Sequence, residues 1–210
     1  QISDLCEKVG ADVVDVAKAM GIDKRIGSKF LNVGPGYGGS CFPKDVKSFV
    51  NTANNYDVDF SILNAVNKSN EARPINIANK IIKLKNFKKG NIIALLGLTF
   101  KPNTDDVRDS TSIKIAKEFI KKGIKIQSYD PEGMKSAISI VKELTLCNSA
   151  YDACKSANCL IIATEWNEFR KLDFNKIKEL MKDLVIFDLR NIYKPSELKQ
   201  IGFEYHGVGK

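Results

Sequence analysis

Beyond Gly90, short apolar runs alternate with helical stretches, and this alternation constrains the fold more than any other feature of the chain. Asn91–Leu96 (NIIALL) is apolar at nearly every position, the pattern of a strand buried on both faces. The same reading places strands at Ile124–Tyr129, Leu144–Cys147, Cys159–Ala163 and Val185–Asp188. Helical patterns separate them at Ser110–Lys122, Gly133–Lys142, Ala150–Ser156 and Phe174–Lys182, the first with Asp109 as its expected cap. Pro195–Gln200 reads as a short last helix and Phe203–His206 as an edge strand. Alternating βα units of this length imply a parallel, doubly wound sheet, a Rossmann-like domain over residues 89–210.

Residues 1–88 carry helical periodicity instead. Ile2–Val9 reads as a helix with no cap ahead of it, and the chain opens on Gln1 rather than Met. It is therefore expected to be a piece of a longer polypeptide. Asp12 looks like an N-cap, with Asp15 completing a capping-box-like pair, and the helix that follows is expected to end at Gly21. Gly21–Pro43 is too rich in glycine for regular structure. Lys44–Tyr56 and Ser61–Lys85 read as two further helices, and Pro74 is expected to kink or split the second. That long helix carries a rough apolar stripe through Ile62, Leu63, Val66, Ile77, Ile81 and Leu84, more than a small helical region can bury. A homodimer through residues 61–85 is therefore expected. The fold class is α/β, an all-helical dimerisation region followed by the sheet domain.

A hydrophobic share of 43% with 28% charged residues is that of a globular protein. No apolar run is long enough to span a membrane, and no secretion signal opens the chain. The net charge of +8 raises the question of a nucleic-acid partner. The lysines are scattered, as in KIIKLKNFKKG, without aromatic interleaving, so they read as a solvated surface and no nucleic-acid partner is expected. Such a field also favours a small dianionic substrate such as a nucleotide diphosphate. The five cysteines form no CxxC pair, which argues against a zinc site or a disulfide framework; no metal is expected, and the thiols suit a cytoplasmic protein. Cys6, Cys147, Cys154 and Cys159 sit in apolar or helical contexts and read as small core residues.

Cys41 differs. It lies in GPGYGGSCFPKD (Gly34–Asp45), preceded by Gly38 and Gly39 and followed by Pro43, where a helix can begin. Glycines leave a sulfur uncovered and let a ligand approach the backbone, and a helix N-terminus favours a thiolate. Asp45, four residues on, can hold or activate a water. Spacing alone balances this reading against a glycine-rich turn with an incidental cysteine.

The longer string does not balance. RIGSKFLNVGPGYGGSCFPKD (Arg25–Asp45) resembles the catalytic segment of the UDP-glucose/GDP-mannose dehydrogenase family, and most closely its UDP-glucose branch. GLTFKPNTDDVRDS (Gly97–Ser110) resembles the segment after the first strand of the family's UDP-binding domain, with weaker matches at TEWNEF (Thr164–Phe169) and DLRNIY (Asp188–Tyr193). The resemblance implies oxidation of the C6 alcohol of UDP-glucose to a carboxylate with two NAD⁺, a product that usually feeds polysaccharide synthesis in this family. It casts Cys41 as the nucleophile that carries a thiohemiacetal and then a thioester, with Asp45 assisting the general-base steps. It assigns substrate contacts to Phe30, to the backbone of Gly34, Pro35, Gly36, Tyr37 and Gly38, and to Phe100, Lys101 and Arg190. Arg25 would reach the substrate of a neighbouring subunit. Lys44 would approach the cofactor, and Arg108 would contact the NAD pyrophosphate, an ion pair with Asp105, Asp106 or Asp109 being a non-exclusive alternative. Asn32 departs from relatives that carry a lysine there.

His206 and Trp166 read as an edge-strand residue and a packing residue, and Asp105–Asp106 as loop chemistry. No strand is followed by a GxGxxG turn, and the family's lysine and asparagine for oxyanion support belong upstream of Gln1. The 210 residues alone are therefore expected to bind a UDP-sugar weakly and without turnover. The alternatives are a dehydrogenase for another nucleotide sugar, such as a UDP-N-acetylhexosamine, or a non-catalytic nucleotide-binding dimerisation module.

Overall fold

A computed structural model describes all 210 residues. Four helices come first: α1 (Ile2–Val9), α2 (Val13–Ile22), α3 (Phe42–Asn55) and α4 (Ser61–Lys85). Then strands β1 (Ile92–Leu96), β2 (Lys125–Tyr129), β3 (Thr145–Leu146), β4 (Cys159–Ile162), β5 (Val185–Asp188) and β6 (Glu204–Gly207) alternate with helices α5 (Thr111–Lys121), α6 (Met134–Ile140), α7 (Ala150–Cys154), α8 (Phe174–Leu180) and α9 (Pro195–Ile201). The strands form one parallel sheet in the order β3-β2-β1-β4-β5-β6, so the winding reverses between β1 and β4.

The central strands are continuously apolar because each face meets a helical layer. Ile93 and Leu95 of β1, with Cys159 and Ile161 of β4, enter one core; the alternating residues Ala94, Leu96, Leu160 and Ile162 enter the other. The first core is closed by α5 (Ile115, Ala116, Phe119) and by the last turns of α4, whose Ala78 and Ile81 are fully buried. The second is closed by α7, α8 and α9 with the buried rings of Trp166 and Phe169. The helical region and the sheet domain thus share α4: its C-terminal half is a layer of the sheet domain, while Ile62, Val66, Ile75 and Leu84 stay exposed along it. Lys85 Nζ, 2.5 Å from Glu204 of β6, ties the helix to the sheet edge.

Three local expectations are corrected. Pro74 neither splits nor ends α4; it lies buried inside a continuous helix that loses one ladder bond at the Asn70 carbonyl. Ser110, not Asp109, stands at the N-cap of α5, and its hydroxyl donates to the Leu98 carbonyl instead of capping. Asp109 takes a positive φ of 49° and pairs with Lys114. α2 runs one residue past Gly21, and although Asp12 caps it by accepting from Val14 N, Asp15 pairs with Lys18 rather than returning a bond.

Candidate active site

Cys41 occupies the N-cap position of α3, with Pro43 in the first turn, and its thiol is exposed, 3.7 Å from the Ser40 hydroxyl. It is the only exposed thiol. Cys6, Cys154 and Cys159 are buried and Cys147 is half-buried. Burial pushes the Cys154 thiol up to about 12 and raises Cys159 and Cys147 as well. Iodoacetamide at neutral pH is therefore expected to label Cys41 first, leaving Cys154 and Cys159 unmodified until the chain unfolds. Peptide mass spectrometry reads the order, and early labelling of Cys154 would contradict the packing described here.

The loop ahead of Cys41 is clamped from two sides. From α4, the Asn70 side chain accepts from Tyr37 N at 2.9 Å and donates to the Tyr37 carbonyl at 3.0 Å. Arg73, one turn on, donates to the Gly34 carbonyl at 2.9 Å, and its outer nitrogens reach Asp4 and Ser3 of α1. From the sheet domain, the loop after β1 presses directly on the two glycines before Ser40. Gly39 N donates to the Arg108 carbonyl at 3.0 Å, and a Cβ on Gly39 would lie 2.7 Å from the Phe100 ring. A Cβ on Gly38 would lie 2.5 Å from the Asp109 carbonyl oxygen. Side-chain-free residues are required here because two backbones and an aromatic ring share the space.

This contact places several of the expected site residues together. The ring of Phe100 rests on Gly39, two positions before Cys41, and Lys101 Nζ stands 5.4 Å from the centre of that ring. Arg108 is exposed and forks onto Asp106 through Nε and Nη2, which leaves Nη1 open. Asp106 first, and the Cys41 sulfur more weakly, hold its guanidinium protonated. Lys44 and Asp45 lie in the first turn of α3, both exposed, with 3.7 Å between their charges. Arg190, at the end of β5, is nearly buried: Nε donates to the Ala163 carbonyl, Nη2 leans on the Phe100 carbonyl, and Nη1 lies against Gly34. Burial lowers its pKa, opposed by Glu165 and Asp188. The Glu165 carboxylate is 3.0 Å from Arg190 Nε but receives no hydrogen bond, because that N–H is aimed at Ala163. Arg190, Asn32, Glu165 and Arg170 line a pocket of about 290 Å³ at the carboxyl ends of β4 and β5.

Other expected residues stand apart from this cluster within the chain. Phe30 is 99% exposed on the rim of an apolar groove of about 650 Å³ that includes Met20, Tyr37, Ile62 and Val66. Arg25 is exposed and forks onto Asp23. The backbone of Tyr37 is consumed by Asn70 and the carbonyl of Gly34 by Arg73, whereas the N–H groups of Gly36 and Gly38 make no hydrogen bond. The Tyr37 hydroxyl is buried without a partner; burial first and Glu71 second raise its pKa. His206 stacks on Phe187 and pairs with Glu204 on the edge strand. Trp166 packs in the second core and also donates from its indole N–H. Asn70, Arg73 and Asp130 were not singled out from the sequence; only Asp130, an acid directly after a strand, left a signal there.

Two family models match. Residues 1–72 match the UDP-glucose/GDP-mannose dehydrogenase family, central domain, and residues 94–195 match the same family's UDP binding domain. The chain belongs to the UDP-glucose/GDP-mannose dehydrogenase family. Among curated relatives, it is 46% identical over 211 residues to the UDP-glucose 6-dehydrogenase of Rhizobium meliloti (strain 1021), covering 100% of this chain and 48% of that protein. It is also 46% identical over 212 residues to the UDP-glucose 6-dehydrogenase of Rickettsia conorii, covering 100% of this chain and 49% of that protein. The chain thus spans about half the length of the curated relatives it matches. Among solved structures, a UDP-glucose dehydrogenase from the hyperthermophilic archaeon Pyrobaculum islandicum superposes with a TM-score of 0.87 at 30% identity, covering 99% of this chain and 46% of that one. The UDP binding domain match runs from β1 through β5, and the Cys41 loop lies within the central domain match. No helix is long and apolar enough to cross a membrane.

Proposed function

We propose that this chain supplies the nucleophile and the UDP-binding half of a UDP-glucose 6-dehydrogenase. The observation that carries the reading is the contact of Gly38 and Gly39 with Phe100, Asp109 and Arg108, which sets an exposed thiol beside the loop that bears Lys101. That loop follows β1, next to the reversal of winding where open α/β sheets bind ligands. Curated relatives named UDP-glucose 6-dehydrogenase align across the whole chain and so support the substrate.

Lys101 and the open N–H groups of Gly36 and Gly38 hold the nucleotide sugar, with Arg190 fixing the Phe100 carbonyl beneath it. Arg108 and Lys44 are exposed cations on the Cys41 face, and the unengaged Nη1 of Arg108 fits a phosphate oxygen of NAD. When bound, NAD⁺ would supply the hydride acceptor, one NAD⁺ for each of the two hydrides. The C6 alcohol loses a hydride and a proton to become an aldehyde. The Cys41 thiolate adds to that carbonyl carbon, and the carbonyl oxygen becomes the alkoxide of a thiohemiacetal. Loss of the second hydride from C6 leaves a thioester on Cys41. Water, held by Asp45, cleaves the C–S bond and yields the carboxylate with the thiol regenerated. Capture by sulfur is needed because a free aldehyde is a poor hydride donor. The exposed first turns of α4, with Phe30 and Arg25 on the adjoining loop, form the surface through which a second copy completes the site.

The complete gene product is expected to form two NADH per UDP-glucose consumed and to favour UDP-glucose over a UDP-N-acetylhexosamine. The 210 residues alone are expected to bind the sugar nucleotide without forming NADH. Absorbance at the NADH band, with the two sugars compared, tests both; absence of NADH formation by the complete protein would overturn the reading.

A further inference from the structure

Asp130, the residue directly after β2, is fully buried, and no lysine or arginine pairs with it. Its charge is met by N–H and O–H donors alone. Oδ2 accepts from Leu98 N (2.6 Å), Thr99 N (3.1 Å), the Thr99 hydroxyl (3.1 Å) and the Trp166 indole N–H (3.2 Å). Oδ1 accepts from Glu132 N (3.0 Å) and Gly133 N (2.7 Å). Gly133 has no room for a side chain, since a Cβ would lie 2.5 Å from Thr99 Cγ2. In dinucleotide-binding sheets of this winding, an acid in this part of the fold takes a ribose hydroxyl. Here the carboxylate is sealed beneath Trp166 and turned onto its own chain.

What it holds is the loop after β1. Leu98 and Thr99 are gripped by Asp130, Thr164 donates to the Thr99 carbonyl at 2.7 Å, and Phe100 and Lys101 follow at once. Phe100 is the ring that fits against Gly39, and Lys101 is carried beside it. We infer that Asp130 is a positioning residue for the UDP-sugar half of the reaction: it fixes the register of the Phe100–Lys101 loop against the Cys41 loop without touching substrate. The inference deepens the UDP-sugar reading above and rests on it for its kinetic consequence.

Asp130→Asn keeps the shape but places an amide against donors on one side or the other. In the complete protein the KM for UDP-glucose is expected to rise roughly 10-fold, with kcat changed less and the KM for NAD⁺ unchanged, since a stranded buried donor costs about one decade. The amides of Leu98 and Thr99 are expected to lose hydrogen-exchange protection in the same variant with no ligand present. Should Asp130→Asn fail to fold, Trp166→Phe, which deletes one donor to Oδ2, carries the same two readouts with smaller shifts in the same direction. An unchanged KM for UDP-glucose in a folded variant, or equal rises in both KM values, overturns the positioning role. Retained protection at Leu98 and Thr99 overturns the clamp itself. If the parent protein does not use UDP-glucose, the functional reading falls while the exchange measurement still decides what Asp130 holds.

Discussion

Replacing Cys41 with serine is expected to reduce UDP-glucuronate formation by at least about 10³-fold while leaving fold and UDP-sugar affinity intact. The fold is insensitive because the thiol is exposed and its one hydrogen-bond partner is the adjacent Ser40 hydroxyl. Affinity is insensitive because the groups assigned to the nucleotide sugar lie on Lys101, Gly36 and Gly38. The rate is sensitive because a serine hydroxyl at neutral pH is hardly ionised, and no histidine stands by to activate it: the one histidine of the chain is on β6, stacked on Phe187. NADH formation and the product sugar acid, measured together for Cys41→Ser and the parent, check this. An undiminished rate with two NADH per sugar would remove sulfur from the mechanism.

The second large effect is expected from Gly39→Ala. The backbone there has φ of 90°, a region that costs a side-chain-bearing residue about 1–2 kcal/mol. The new methyl would also sit 2.7–2.9 Å from three atoms of the Phe100 ring, closer than real contacts allow. Overpacking of that kind costs roughly 1–3 kcal/mol more. The strain falls on the joint between the Cys41 loop and the sheet domain, not on either core, so the chain relieves it by parting the two loops. The expected result is a folded protein with the catalytic rate reduced at least roughly 10²-fold, in line with the cost of small misplacements at a reacting centre. Urea unfolding and steady-state kinetics check the two halves of that statement. A loss of the sheet domain's cooperative unfolding, or a rate equal to the parent's, would contradict it.

Much of the architecture was legible in the sequence, and the reason is periodicity. Strands such as Asn91–Leu96 and Val185–Asp188 are apolar on both faces because both faces meet helices, and the extents of α4 and β5 match their apolar patterns residue for residue. The misses share a cause: a local rule was overruled by a partner distant in sequence. Asp109 yielded the cap position to Ser110 because the chain there turns to meet Gly38, and Pro74 sits buried inside α4, where its burial offsets one missing ladder bond. The candidate site divides along the same line. Cys41 and its glycines stood out as a contiguous string. The side chains that clamp them did not: Asn70 and Arg73 lie 33 and 39 residues from the backbone groups they bind, with nothing local to announce it, and Asp130, 31 residues from Thr99 N, left only its place after a strand.

The central claim, that oxidation passes through a covalent adduct on Cys41, is tested most directly by trapping that adduct. The complete protein bearing Asp45→Asn, to slow hydrolysis, would be mixed with UDP-glucose and NAD⁺, quenched in acid and digested for peptide mass spectrometry. The expected result is a UDP-glucuronyl thioester on the peptide containing Cys41, which hydroxylamine removes. UDP-glucuronate formed in that reaction while the Cys41 peptide stays unmodified, or an adduct on a different residue, would contradict the account.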